Sequence, residues 1–221
     1  MAKKKRQKSK TGTLDFYKIF WIFIFGGFFG YFYEGLLNFY FFRTWQGNDG
    51  VIYGTFNQVY GFGAAAMIII LYQLKNQPWW LIFLVSCLLG GAIEYAASFL
   101  QQEIFGFVSW DYNQKFLNLG GRTTIPYMLV WGMGGTLLIK IIYPWFQKIW
   151  HRFPPEKIKI TTFIVLIFLI FNFSISSLAV WRMGQRRQIK PARNHFEHFL
   201  DQRYPDSRLK KVYPYMKQAS N

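Results

Sequence analysis

The chain has 221 residues, is 52% hydrophobic and 22% aromatic, and carries a formal charge of +16. Its apolar residues fall in runs of about 20, which an ordinary soluble domain of this size does not show, and little chain remains for a separate soluble domain. The single cysteine, Cys87, excludes an intrachain disulfide and a cysteine-rich metal site; inside an apolar run it reads as a small buried residue.

Residues 1–13 are basic and polar, with Lys3, Lys4, Lys5, Arg6, Lys8 and Lys10, and read as a disordered N-terminus. Beside membrane spans such a block sets topology or touches anionic lipid rather than nucleic acid. The apolar stretch after it is too long for a cleavable signal and lacks a small-x-small site, so it is expected to stay as a first span. That span covers residues 16–37 and extends toward Phe42. Gly26 and Gly30 form one GxxxG pair suited to close helix packing. Residues 43–50 have the Asn-Asp-Gly chemistry of a turn.

A second span is expected over residues 52–74. Its first half is polar and glycine-rich. Gly54, Gly61 and Gly63 permit either a broken helix lining a cavity or simply close approach of neighbours. The third span covers 79–100 and extends toward Ile104. A longer loop, 106–124, leads to the fourth span, 126–145, where Pro126 suits a first helical turn. A basic turn over 151–159 precedes the fifth span, 160–181. The expected fold is all-α: a polytopic membrane helix bundle of about five transmembrane helices over residues 14–182. A polar, basic tail over 183–221 is interrupted by Pro191, Pro205 and Pro214.

The N-terminal block and Lys148, Arg152, Lys157 and Lys159 argue for a cytoplasmic N-terminus. Five spans then place the tail outside, although Arg182, Arg186, Arg187, Lys190 and Arg193 favour inside. N-inside, C-outside is the expected topology.

Whatever its sign, the end of span one, the start of span two, the end of span three and the start of span four share one face. The polar residues gather there: Glu34, Asn57, Gln58, Glu94, Glu103, Trp110, Asp111, Tyr112, Asn118 and Arg122. Charge in hydrocarbon is costly, so these residues form the candidate substrate-binding set. Glu94 lies roughly 22 Å along its helix, and Ser98 and Gln101 share its face. It is either a proton-linked or cation-binding carboxylate, or a structural one hydrogen-bonded across helices. Glu103 falls on the opposite side of that helix. It caps the loop, pairs with Arg122 or sits solvated. Arg122 either holds Asp111 bidentately or meets an anionic headgroup or phosphate.

Lys140 is expected to snorkel to the opposite interface. His195 and His198 lack a full ligand set, so no metal is expected. No Walker A, GxSxG or HExxH pattern occurs, so no cofactor and no catalytic residue is assigned, which weighs against an enzyme.

The series Glu94-Tyr95, Glu103 to Gly106, Trp110-Asp111-Tyr112, Phe116 to Arg122 and Trp131-Gly132 resembles the bacterial family called putative ABC-transporter type IV. Its members show an E-to-FG, WDYS, fNxxGR, WG series. Tyr53-Gly54 and Val59 to Gly63 are similar to the family's YGP…PIYGFG segment. Asn194, Phe199-Leu200-Asp201, Tyr204-Pro205-Asp206 and Tyr213-Pro214 look like its FLD…PD…FPN ending. Asn113 stands for the usual Ser, Gln58 for a common Pro, and Gly120-Gly121-Arg122 for Asn-Gly-Arg. The resemblance implies a permease-like transport component in a bacterial cell membrane, in contact with lipids and working with a separate ATPase subunit or as a homo-oligomer. A membrane-embedded enzyme or sensor acting on a lipid or envelope precursor, and an assembly scaffold, are the alternative classes.

Overall fold

A computed structural model describes residues 13–45 and 50–218. The N-terminal basic block and most of the Asn48-Asp49-Gly50 turn lie outside the described residues. The fold is an all-α bundle. Four of its helical rods are long and apolar enough to cross a membrane, and a fifth apolar helix is shorter.

Helix α1 (Phe16–Phe42) begins where the Asp15 carboxylate accepts the Lys18 N–H at 3.0 Å, and ends at Arg43 in the left-handed region. It is apolar on all sides, as a helix in lipid must be. Gly26 and Gly30 let α2 approach closely. A Cβ on Gly26 would lie 2.5 Å from Ala64 Cβ, and one on Gly30 would meet the Tyr60 side chain.

Helix α2 (Gln58–Leu71) starts later than the apolar pattern predicts. Residues 50–57 run as irregular chain, turning at Gly54 with φ +90°. Asn57 then caps the helix, accepting the Val59 N–H at 3.0 Å. Irregular backbone at membrane depth survives only if its polar groups are satisfied. Here α6 satisfies those of Ile52 and Tyr53. Ser176 accepts the Ile52 N–H, Asn172 accepts the Tyr53 N–H, and the Asn172 amide donates to the Tyr53 carbonyl at 2.6 Å. The broken-helix reading therefore applies at Gly54, whereas Gly61 and Gly63 sit within α2 against Phe23 and Trp131.

Helix α3 (Trp79–Phe105) begins after Pro78 and stops at Gly106, φ +70°. Helix α4 (Ile125–Leu137), a π-helical stretch (Leu138–Ile142) and α5 (Tyr143–Trp150) make one continuous rod. Pro144 lacks an N–H and crowds the preceding turn, which the wider π turn accommodates. Lys140 is exposed and donates to the Lys75 and Gln77 carbonyls, closing off the turn between α2 and α3. Helix α6 (Pro155–Arg187) spans 33 residues, well beyond the ~20 a bilayer needs. Its last turns carry Arg182, Arg186 and Arg187. Helices α1 and α2 pack as one pair and α3 and α4 as another, with α6 touching both more lightly.

The tail is folded. Helices α7 (His195–Arg203) and α8 (Asp206–Val212) close over the end of α6, and strand β4 (Lys217–Gln218) pairs antiparallel with β1 (Phe107–Val108) just after α3. Leu200, Leu209 and Tyr204 form a core with Ile52, Phe107 and Ala179. Arg182, 1% exposed, donates from Nε and Nη2 to the two oxygens of Asp201 at 2.9 and 2.8 Å. Arg186 bonds Asp201 at 2.6 Å and Asp206 at 2.7 Å. Arg182 and Arg186, at the end of α6, are thus paired with carboxylates of the cap. The cap lies at the same end of the bundle as the 106–124 loop, opposite the turn at 151–154.

Candidate functional site

Glu94 is 7% exposed on α3, on the face that also buries Ser98 and Gly91. Its Oε1 accepts the Tyr112 hydroxyl at 3.0 Å and its Oε2 the Thr123 hydroxyl at 2.7 Å. Both of these donors are neutral hydroxyls. Burial first, then the Glu94 charge beside it, holds the Tyr112 phenol well above its ordinary range, so it stays a donor.

The 106–124 loop carries both of those hydroxyls. Strands β2 (Asn118–Leu119) and β3 (Thr123–Thr124) pair across a tight turn. Gly120 and Gly121 take left-handed φ values of +57° and +68° there. A Cβ on Gly121 would strike the Asn113 side chain at 2.5 Å. Asn118 ties the loop together, accepting the Gly121 N–H and donating to the Asn113 and Lys115 carbonyls. The Trp110 indole N–H donates to the Arg122 carbonyl at 2.8 Å, and the Tyr112 N–H to the Gly121 carbonyl. The Tyr112 ring stacks on Tyr127 at 4.9 Å. Thr124 caps α4.

Asp111 and Arg122 do not pair among the described residues. Asp111 accepts the Asn113 N–H at 3.0 Å in an exposed turn. Arg122 reaches instead across α3, donating to Ser98 at 3.3 Å and Gln102 at 2.7 Å. Its guanidinium lies 5.6 and 5.4 Å from the Tyr95 and Phe99 ring centres. Glu103 is exposed and forms no ion pair among the described residues.

Glu34 on α1 accepts from the Asn57 amide at 3.5 Å. Glu34, Asn57, Gln58, Glu94, Trp110 and Tyr112 line one cavity of about 1620 Å³, whereas Glu103, Asp111, Asn118 and Arg122 do not line it. The phenols of Tyr60, Tyr112 and Tyr127 lie in the field of both Glu34 and Glu94. From this polar end the cavity continues past Met133, Gly134 and Phe146 to Trp150 and Phe153. The arrangement offers anionic, aromatic and hydroxyl groups at one end of a long apolar space.

Sequence reasoning passed over Thr123, Gln102, Asn172 and Ser176. The pair Asn172 and Ser176, one helical turn apart in an apolar span, was the available signal for the last two. Thr123 carried none, because only the turn at Gly120-Gly121 aims it at Glu94.

The family model described as putative ABC-transporter type IV matches residues 21–177. No curated protein and no solved structure matches the chain. The matched stretch runs from α1 into α6. It contains Glu34, Glu94, Tyr112, Thr123 and Arg122, and ends before Arg182 and the cap. More than half of the chain is covered, with the whole of the Glu94 network inside it, so this protein belongs to the putative ABC-transporter type IV family.

Proposed function

We propose that the protein is a permease-like component of a bacterial cell-membrane transporter and that the interhelical cavity is its substrate path. The observation that carries this reading is the cavity itself: it runs along the bundle and gathers its carboxylates at one end. Glu94 is the binding group, Glu34 and Asn57 the opposing wall, and Tyr112 and Thr123 position Glu94. Arg122 and the Asp111–Asn118 turn hold the loop in place. The chain contains no P-loop, so energy from ATP requires a separate ATPase subunit. Family membership supports that pairing.

The test uses Gly134, which lines the cavity and has no atom within 4 Å of where a Cβ would stand. Gly134→Phe fills the path without a clash at its base. A deletion strain complemented with wild-type, Gly134→Phe or Glu94→Gln protein is profiled for lipids and metabolites, and each is checked for a co-purifying ATPase. Both variants are expected to reach the membrane at normal levels and to leave the deletion's metabolite change uncorrected. Full correction by both, with no ATPase attached, would replace the transport reading with a scaffold.

A further inference from the structure

We infer that the polar end of the cavity receives the cationic head of an amphiphile, an amine or quaternary ammonium on a hydrocarbon chain, between Glu34, Glu94 and the surrounding aromatic faces. The inference rests on reading the cavity as the substrate path and names the class of molecule that fits it.

Charge is the first argument. Among the described residues, the carboxylates lining the cavity are Glu34 and Glu94, both at the cap-side end. The lining cations among the described residues are Lys115, on the exposed rim, and Lys157, at the far end. Arg122, the cation nearest in sequence to Thr123, is turned to Ser98 and Gln102. An anionic head would meet two carboxylates here, whereas a cationic one is attracted by both.

The aromatic faces are the second argument. Tyr60 and Trp131 lie 5.3 Å apart and tilted by 31°, and Tyr112 stacks on Tyr127. All four rings line the cavity. Electron-rich faces beside carboxylates are the setting in which ammonium groups are held, and Trp and Tyr are the stronger partners. Phe25, Met133, Leu137 and Phe146 continue the wall without charge.

Length is the third. Both Tyr127 and Trp150 line the cavity, which corresponds to roughly 35 Å along the α4–α5 rod at helical rise. A small free cation would leave most of that apolar space unused. A single hydrocarbon chain uses it.

The experiment measures binding of dodecyltrimethylammonium, tetramethylammonium and dodecyl sulfate to the full chain in neutral maltoside micelles, by equilibrium dialysis with empty micelles as the blank. Dodecyltrimethylammonium is expected to bind about tenfold more tightly than either comparator, and Glu34→Gln and Glu94→Gln each to weaken it by about tenfold. If Glu94→Gln fails to fold, Glu34→Gln alone decides. Equal binding of dodecyl sulfate, or no loss in the carboxylate variants, overturns the cationic head. Equal binding of tetramethylammonium overturns the amphiphile and points to a soluble organic cation. The two readings fail separately. Lost cation selectivity with Gly134→Phe still blocking complementation removes the head assignment and leaves the path. Retained selectivity with Gly134→Phe fully active removes the path.

Discussion

Glu94 Oε2 and Thr123 Oγ1 meet at 2.7 Å, and both side chains are almost wholly buried. The contact joins the middle of α3 to the residue that leads into α4, across the same gap that Tyr112 closes from above. Replacing the carboxylate by an amide keeps the shape and one acceptor. Replacing it by a hydrocarbon strands two hydroxyls, each costing about 1–3 kcal/mol. Glu94→Gln is therefore expected to unfold thermally near wild type yet fail in complementation, while Glu94→Leu loses both stability and function. A fully active Glu94→Gln would leave Glu94 a structural residue only.

The turn that aims Thr123 depends on Gly121. An alanine there meets the Asn113 side chain and must hold φ +68°, a conformation costing about 1–2 kcal/mol for a residue with a Cβ. Gly120→Ala shares the backbone strain, but its Cβ finds only an ordinary contact with Tyr95 at 3.6 Å. Gly121→Ala is expected to loosen the loop more than Gly120→Ala. Limited proteolysis between residues 106 and 124 would measure it, and equal cleavage of the two variants would contradict the packing argument.

The cap is held by charge as well as by its core. Removing Arg182 strands buried acceptors and is expected to cost about 3 kcal/mol of cap stability. Bonding to Arg182 and Arg186 outweighs burial and holds the Asp201 carboxyl below its usual range. A depressed carboxylate stabilises the fold fully above its unfolded pKa, about 3.9, and loses that contribution as pH falls through the lower native value. Cap release, followed by proteolysis of the α6–α7 junction, is expected to set in below about pH 4. Asp201→Asn should release the cap at neutral pH and flatten that dependence. An unchanged profile in Asp201→Asn would assign the acid sensitivity to other groups.

The two ends of the bundle are expected to differ in accessibility across the membrane. Single cysteines at Lys115 and Lys210, in a Cys87→Ser background, are expected to react with an impermeant reagent from the same side. A cysteine at Arg152 should react only from the other. With the N-terminus cytoplasmic, the first two label from outside the cell. Labelling of Lys115 and Lys210 positions from opposite sides would break the convergence of loop and cap.

Much of this arrangement is legible before any coordinates. Hydropathy gives the helices, because lipid demands long apolar runs, and connectivity alone puts Glu34, Asn57 and Glu94 at one end. The helical spacing of Glu94 and Ser98 correctly marks a buried polar stripe, with Glu103 on the exposed side. The late start of α2 was only half visible: the glycine-rich first half of the span allowed a broken helix or mere close packing, and the distant Asn172 and Ser176, which make irregular chain tolerable there, decide between them. The cap was hidden for a different reason. Its prolines and basic residues look like a loose tail, and nothing local reveals that Arg182 and Arg186 are consumed by Asp201 and Asp206. The Asp111–Arg122 pair, attractive by proximity in sequence, is replaced by contacts to α3 that depend on the fold of the turn.

The backbone of residues 52 and 53 finds its partners on α6, 124 and 119 residues further along the chain. During synthesis α1 to α5 emerge first, so for that interval the segment before α2 has no Asn172 or Ser176 to meet. Insertion of the first hairpin is then provisional, with this stretch left near water until the last helix is threaded. A ribosome stalled before α6 would hold a chain whose opening pair of helices has yet to settle at its final depth.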